Sequence, residues 1–283
     1  MPGFGWISFT TDYGLADGFV GACHGVIARL APHVRVIDVT HQVPAGDVRH
    51  GALVLAQTLP YLPAAVHVAV VDPGVGTARR PVALVTPGGV LVGPDNGLLP
   101  WAGDALGGVT TAVVLTNPRW FADSVSHTFH GRDIFAPVAA ELATATALAG
   151  VGPVAGGATV PVTEVAAVLS EAGAPVDPAE LVRLPEPVVR DGEGWLEAEV
   201  LGVDHFGNVQ LAAPGARLAA LPQRLRVGEH PAVRGETFGD VPEGELVVLV
   251  DSAGQVAVAA HRGRAAELLS VTAGALLRID SHR

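Results

Sequence analysis

The chain has 283 residues, of which 49% are hydrophobic, 16% are charged and 5% are aromatic, and its formal net charge is −11 at pH 7. This composition excludes an intrinsically disordered chain, which would combine low hydrophobicity with high net charge. The acidic balance, with no basic stripe in the sequence, argues against nucleic acid as a partner.

The high apolar content invites a membrane interpretation that the sequence does not support. A spanning helix needs about 20 apolar residues without strong helix breakers, and the best candidate, residues 143–162, is interrupted by glycines and prolines. Cys23 is the single cysteine, which excludes an intrachain disulfide and a zinc ribbon. The segment MPGFGWISFT has no signal-peptide pattern, so we expect a cytoplasmic protein.

The first half of the chain alternates predicted strands and helices. In chain order these are a strand at 6–10, a helix at 17–30, a strand at 34–39, a helix at 47–59, strands at 67–71, 82–85, 90–92 and 111–115, and a helix at 131–146. Asp47 is the predicted N-cap of its helix. Val-rich strands separated by helices are typical of a mostly parallel sheet covered on both faces.

The pattern changes after a proline-rich stretch at residues 171–187. Short β runs follow at 196–203, 208–211, 224–227, 233–237, 246–250, 256–260 and 276–280. Short strands at regular spacing indicate a small β-barrel or sandwich. The predicted organisation is an α/β domain over residues 1–175, a linker over 176–190 and a β-barrel domain over 191–283.

Two polar clusters follow predicted strands, where ligands of parallel sheets bind. The first is TTDYG at 10–14. Its Asp12 can accept hydrogen bonds from the hydroxyls of a ribose diol, or it can cap the next helix. The second is VVDPGVGTARR at 70–80, in which an arginine near Asp72 favours the ionised carboxylate. Arg79 lies seven residues on and is suited to that task or to a loop-stapling salt bridge. The glycine spacing is not that of a phosphate-binding loop.

A third cluster, SHTFHGRD at 126–133, opens a predicted helix. His127 and His130 are each a possible base or metal ligand, and two histidines beside an Arg and an Asp favour a site over a structural role. The sequence contains no H-E-x-x-H motif or comparable metal-ligand spacing.

In the second domain, one short segment combines three kinds of recognition group. Asp204, Phe206 and Asn208 supply a carboxylate, an aromatic face and a carboxamide. These groups suit a ligand that combines an aromatic base with an amino group. A hairpin around a buried Phe explains the same segment equally well. Ser252 lies in a predicted turn between two strands, where its hydroxyl can hold a carboxylate.

Together these segments resemble one family, the S-adenosylmethionine (SAM) hydroxide adenosyltransferases, which are SAM hydrolases related to fluorinase and chlorinase. The similar stretches span residues 10–263 and are TTDYG, VTHQV, VVDPGVGTARR, VGPDNGLL, SHTFHGRDIFAPVAAELA, VDHFGN and DSAGQVAVAAHRG. The resemblance implies an N-terminal α/β domain and a C-terminal β-barrel. It also implies a homotrimer, with SAM between the N-terminal domain of one subunit and the C-terminal domain of its neighbour.

The resemblance also implies roles for individual residues. Asp72, Arg79 and His130 match the set that positions and activates water, and SAM is the substrate, with adenosine and L-methionine as products and no metal or other cofactor. The residues expected to bind substrate are Asp12 at the ribose, Phe129, Asp204 at the methionine ammonium, Phe206 and Asn208 at the adenine, and Ser252 at the methionine carboxylate.

The related halogenases differ from this chain at informative positions. They have a Tyr at the position of Asp72, a Tyr-Ser pair at His130-Gly131 and a Trp at Gly46. A carboxylate at position 72 would repel a halide, so the sequence predicts water as the nucleophile.

Three different functions stay open on the sequence: a halide adenosyltransferase, a non-catalytic nucleoside-binding protein and a His/Asp metallohydrolase. The chain departs from the family pattern at residues 211–213 and 261–264, near the expected adenine pocket.

Overall fold

The computed structural model describes residues 4–148 and 160–282. The chain divides into two compact units, Met1–Leu184 and Pro185–Arg283, and the predicted linker spans this division. The candidate span at 143–162 falls partly outside the described residues. Among the residues described, no helix is both long and apolar enough to cross a membrane.

The first unit is a layered α/β structure. Its described residues form strands β1 (Trp6–Thr11), β2 (Arg35–Thr40), β3 (Val66–Val70), β4 (Pro81–Thr86), β5 (Gly89–Pro94), β6 (Thr111–Leu115) and β7 (Gly173–Val176). They also form helices α1 (Phe19–Leu30), α2 (Val48–Thr58), α3 (Leu98–Asp104), α4 (Ala136–Leu148) and α5 (Val162–Leu169). A π-helical turn, Gly131–Phe135, leads into α4.

Helices α1, α2 and α4 form where the sequence pattern predicts helices. In α1, Val20, Cys23 and Ile27 recur at helical spacing and are buried. The Asp47 side chain caps α2 by accepting a hydrogen bond from the His50 backbone N–H at 2.9 Å, so the predicted N-cap is confirmed. The pattern does not indicate α3 or α5, which at seven and eight residues carry too little periodicity.

The sheet has the strand order β2-β1-β3-β5-β4-β6-β7. The first four strands pair in parallel, whereas β4 pairs antiparallel with β5 and β6, and β6 with β7. The predicted α/β class is confirmed, and its antiparallel half has a simple cause. Only Pro87 and Gly88 join β4 to β5, and a parallel crossover needs a dozen or more residues.

The register of the parallel strands places two predicted clusters side by side. Thr11 at the end of β1 is paired with Val70 at the end of β3. The segments that carry Asp12 and Asp72 therefore leave the same edge of the sheet, where ligands of such sheets bind.

The second unit is a closed β-barrel. Its strands are β8 (Val189–Gly192), β9 (Trp195–Val203), β10 (Val209–Pro214), β11 (Arg224–Val227), β12 (His230–Arg234), β13 (Leu246–Val250), β14 (Gln255–Ala260) and β15 (Leu276–Ser281), and its short helix is α6 (Ala265–Leu269). The order is β10-β14-β13-β12-β11-β15-β9-β8, and a further pairing of β10 with β9 closes a seven-stranded ring. The predicted barrel is confirmed.

One predicted strand of the barrel is displaced. The pattern predicts a strand at 233–237, whereas β12 ends at Arg234. The Asp240 carboxylate accepts the backbone N–H groups of Glu236 and Thr237, at 2.7 and 3.0 Å. Both N–H groups therefore belong to a capped turn and take no part in the hydrogen bonds between strands.

Candidate active site

Asp72 and Arg79 form a buried ion pair beyond the end of β3. Arg79 Nε donates to Asp72 Oδ1 at 3.0 Å, and Arg79 Nη2 donates to Asp72 Oδ2. The two side chains are only 6% and 8% exposed. A bidentate pair of this kind fixes the orientation of the carboxylate.

His130 completes this group from the start of the π-helical turn. Its Nδ1 lies 3.1 Å from Arg79 Nη2. Because an arginine only donates, this contact requires Nδ1 to be the acceptor, and the neutral ring then carries its hydrogen on Nε2. Burial, and after it the Arg79 charge, lowers the pKa of His130 below its ordinary value, which favours the same neutral form.

Two glycines allow the three predicted clusters to pack against one another. Gly76 has φ +77°, and a Cβ there would lie 2.4 Å from the His127 carbonyl oxygen. A Cβ at Gly131 would lie 2.0 Å from the Tyr13 hydroxyl. The segments after β1, after β3 and before α4 therefore meet only because side chains are missing at these two positions.

Asp12 and Phe129 border this group. Asp12 Oδ2 accepts a hydrogen bond from the Gly46 backbone N–H at 2.8 Å. Phe129 packs edge-to-face on Tyr13 and Phe19, with ring centroids 5.7 and 5.2 Å away. Burial raises the pKa of Tyr13 far above its ordinary value, so this phenol stays neutral.

In the second unit, Asp204 organises its own loop. Its Oδ1 accepts from the backbone N–H groups of Phe206 and Asn208 at 2.9 and 2.8 Å, and its Oδ2 accepts from Asn208 Nδ2 at 2.8 Å. The loop projects Phe206 outward, with 71% of the residue exposed. The structure therefore shows the hairpin without the buried Phe that a purely structural interpretation requires.

A pocket of about 510 Å³ lies beside this loop. Its lining combines aromatic, amide and basic groups and consists of Phe206, Asn208, Phe238, Ala260, His261, Arg262, Gly263 and Arg264. Arg264 Nη1 donates to the His205 carbonyl oxygen at 2.8 Å, which joins the two loops that form the pocket.

Ser252 lies apart from this pocket. It is exposed in the turn before β14, whereas His261 follows the other end of the same strand. The turn is held by Asp251 Oδ1, which accepts the N–H groups of Ala253 and Gln255 at 2.9 Å each. The expected contact of Ser252 with a substrate carboxylate stays a prediction.

Two protein-family models match this chain. The model for the SAM hydroxide adenosyltransferase N-terminal domain matches residues 7–152, and that for the C-terminal domain of the same family matches residues 198–278. The chain belongs to the SAM hydroxide adenosyltransferase family.

Individual relatives of the family agree with this assignment. A protein named (R)-S-adenosyl-L-methionine hydrolase from Salinispora arenicola is 63% identical over 276 residues, which cover 98% of each chain. A Thermus thermophilus protein of the same name is 38% identical over 96% of this chain and 98% of its own. A fluorinase from Nocardia brasiliensis is 26% identical over 52% of this chain and 56% of its own.

Solved structures share the fold. A crystal structure of an uncharacterized conserved protein from Thermotoga maritima has a TM-score of 0.80 and is 35% identical. The match covers 97% of this chain and 99% of that one.

Within this family fold, the structure brings some predicted residues together. Asp72, Arg79 and His130 are in direct contact, and Phe206 and Asn208 line one pocket. Phe238 lines that pocket too, although no pattern in its segment points to it. Its neighbour Thr237 belongs to a predicted strand, whereas in the structure Phe238 begins a short helical turn after β12. His261 Nδ1 lies 2.7 Å from the Val241 carbonyl oxygen, a contact that joins the segment after this turn to the pocket.

Proposed function

We propose that this member of the SAM hydroxide adenosyltransferase family hydrolyses SAM to adenosine and L-methionine by attack of water at C5′. The observation that carries the proposal is the hydrogen-bonded set of Asp72, Arg79 and His130, in which the Asp72–Arg79 pair is buried. The 63% identity to a protein named (R)-S-adenosyl-L-methionine hydrolase over nearly the full chain supports it.

The chemistry places its main demand on the nucleophile. The methionine sulfur leaves C5′ as a neutral thioether, so the leaving group needs no general acid. Water is a weak nucleophile and must be held in line with the breaking C5′–S bond, an arrangement that can contribute about 7–11 kcal/mol.

The proposed mechanism divides the work between two side chains. With Nδ1 accepting from Arg79, the Nε2–H of His130 donates a hydrogen bond to the water oxygen and orients it. Asp72 accepts the proton that the water releases as the C5′–O bond forms and the C5′–S bond breaks. Asp72 can accept this proton because each of its carboxylate oxygens has a second lone pair beside the one directed at Arg79. The proton then passes from Asp72 to solvent.

Substrate recognition is divided among the remaining residues. Asp12 binds the ribose hydroxyls and Phe129 borders the sugar. Phe206 and Asn208 bind the adenine, the first by stacking and the second through its carboxamide. Asp204 binds the methionine ammonium through the free lone pairs of Oδ2, and Ser252 binds the methionine carboxylate.

Isotope labelling tests the reaction. The purified protein is incubated with SAM in H₂¹⁸O, with both epimers at the sulfonium centre offered because the relative's name specifies the (R) form. We expect adenosine with one ¹⁸O at the 5′ hydroxyl and unlabelled methionine. Binding of SAM without product would favour a non-catalytic nucleoside-binding protein.

The halide reaction has a direct test. Incubation with SAM and fluoride or chloride would give 5′-halo-5′-deoxyadenosine if a halide were the nucleophile. We expect adenosine alone, because the Asp72 carboxylate disfavours an anion. Gly131 agrees with this expectation, since a side chain there would collide with the Tyr13 hydroxyl, and the halogenases place a Ser at that position.

Assembly and location complete the proposal. We infer a homotrimer in which each substrate site is shared between subunits, and light scattering should then give about three times the chain mass of 28.8 kDa. A cytoplasmic location stays a prediction that subcellular fractionation tests.

A further inference from the structure

A cluster of two histidines and one carboxylate lies outside the proposed reaction site. His24 is on α1, Asp38 is in β2, and His41 directly follows β2. His24 Nε2 and His41 Nε2 each lie 2.9 Å from Asp38 Oδ1. One ligand atom from each of the three residues lies within 4.8 Å of the other two.

The His41 ring is held in a defined orientation. The residue is 4% exposed, and its Nδ1 lies 2.9 Å from Thr11 Oγ1. If Nδ1–H donates to Thr11, the lone pair of Nε2 faces the other two residues. Metal-binding histidines are oriented by a hydrogen bond of this kind at the second ring nitrogen.

A simple ion pair does not account for all three residues. His24 makes a normal hydrogen bond to Asp38. The buried Nε2 of His41 makes none, because the Asp38 oxygen, although close, lies away from the direction of an Nε2 hydrogen. A buried polar nitrogen without a partner is costly, and a cation between the three side chains would remove that cost.

We propose that His24, Asp38 and His41 bind one divalent transition-metal ion of the zinc class. Imidazole and carboxylate together suit zinc and its neighbours rather than magnesium or calcium, which prefer oxygen ligands. Ligand bonds of about 2.0–2.2 Å place tetrahedral ligand atoms a little over 3 Å apart, so the present spacing requires only small side-chain movements.

The surroundings of the cluster indicate a structural role for the ion. The side chains of His24 and Asp38 are 34% and 43% exposed, which leaves the outer side open for water to complete the coordination. The His41 carbonyl oxygen accepts the Gly14 N–H at 2.7 Å, and Thr11 binds the ring. The ion would therefore join α1 and β2 to the loop that carries Asp12.

The test is metal titration of tag-free protein in the absence of SAM, so that its outcome is independent of the proposed reaction. Zn²⁺ binding is measured by calorimetry, and Co²⁺ is used as a spectroscopic probe whose visible absorption reports nitrogen ligation. The variants are His24→Gln and Asp38→Asn, with His230→Gln as the control because this exposed histidine belongs to the other unit.

We expect one Zn²⁺ per chain, a visible Co²⁺ spectrum and a higher melting temperature with Zn²⁺. His24→Gln and Asp38→Asn should each weaken binding at least about tenfold, since loss of even an outer-shell partner costs about 10–100-fold, and the control should bind as the parent does. His24→Gln keeps the buried residues, so its result stands if Asp38→Asn fails to fold. Absence of saturable binding, or equal affinity in His24→Gln and the parent, would overturn the proposal.

Discussion

Two regions differ most in their exposure: the group of Asp72, Arg79 and His130 in the first unit, and the pocket lined by Phe206 in the second. The side chains of Asp72 and Arg79 are less than a tenth exposed, whereas Phe206 is 71% exposed and the Arg262 side chain 72%. A water-activating set benefits from being fixed and shielded before the substrate arrives. A recognition surface has to remain open until its ligand covers it.

The two regions also differ in how their carboxylates are held. Asp72 is bound by a guanidinium, whereas Asp204 is bound by the N–H groups of its own loop. A change in the first region should therefore lower kcat, and a change in the second should raise KM. Substitutions on each side can break this division.

The largest effect is expected from Asp72→Asn. The amide cannot accept the proton from water, and general-base catalysis typically contributes about 10²–10⁴-fold. We expect kcat to fall by that range while the dissociation constant for SAM, measured by calorimetry, changes little.

Asp104→Asn is the matched control, because Asp104 forms an exposed pair with Arg183 in the same unit. Circular dichroism separates lost chemistry from lost folding, since breaking a buried pair is also destabilising. Turnover of Asp72→Asn near the parent rate would remove Asp72 from the mechanism.

Gly76→Ala is expected to have the next largest effect. Its Cβ would press on the His127 carbonyl oxygen in a backbone conformation that alanine disfavours, and strain of this kind costs about 1–3 kcal/mol. The loop should shift Arg79 away from His130, so we expect lower kcat together with a lower melting temperature.

Gly108→Ala isolates the cost of the collision. Gly108 has φ +88° but nothing lies within 4 Å of the position of its Cβ. If both variants lose the same stability and activity, the contact between the two segments is not what holds the reactive group.

The contrast between the two regions also bears on what the sequence can predict. Asp72 and Arg79 are seven residues apart on one loop, so their pairing follows from local chain geometry. His130 joins them because it opens a helix at the strand ends of the same sheet, and the three-cluster pattern anticipates this meeting. Which nitrogen of His130 accepts from Arg79 depends on the orientation of the ring, and no sequence pattern predicts that orientation.

In the barrel the limits are different. The strands are predictable from their alternation, but Phe238 reaches the pocket through a helical turn after β12, where the pattern predicts a continued strand. In the first unit, the short connection between the predicted strands at 82–85 and 90–92 already implies an antiparallel pair. The Val-rich pattern conceals this pairing, because buried strands look alike in either direction.

Phe206→Ala should have a moderate effect confined to binding. Stacking of a base on an aromatic ring contributes about 1–3 kcal/mol, which corresponds to about 5- to 150-fold in affinity. We expect KM to rise within that range with kcat and melting temperature nearly unchanged, because an exposed side chain contributes little to the core.

Leu276→Ala is the control for loss of an exposed apolar side chain in the same unit. A fall in kcat with unchanged KM in Phe206→Ala would contradict the division between a reactive first unit and a recognising second unit.

The smallest effect is expected from pH, and its sign follows from His130. Burial and the Arg79 charge lower the pKa of His130 below 6.5, against the opposing charges of Asp72 and Asp133. When the pH falls, protonation of Nδ1 breaks the hydrogen bond from Arg79, so kcat/KM should decline on the acidic side with a midpoint below the ordinary pKa of histidine, about 6.5. In the same window the unfolded chain binds its proton first, so the stability contributed by neutral His130 is complete above pH 6.5 and is lost as the pH falls.

His130→Gln should remove this part of both profiles, because glutamine does not titrate, whereas His33→Gln, at an exposed position, should leave them unchanged. Profiles of kcat/KM and of melting temperature between pH 5 and pH 8 provide the measurement. A limb in which kcat/KM instead falls as the pH rises, and which His130→Gln removes, would show that His130 is protonated when it works, and the roles of His130 and Asp72 at the water would then have to be exchanged.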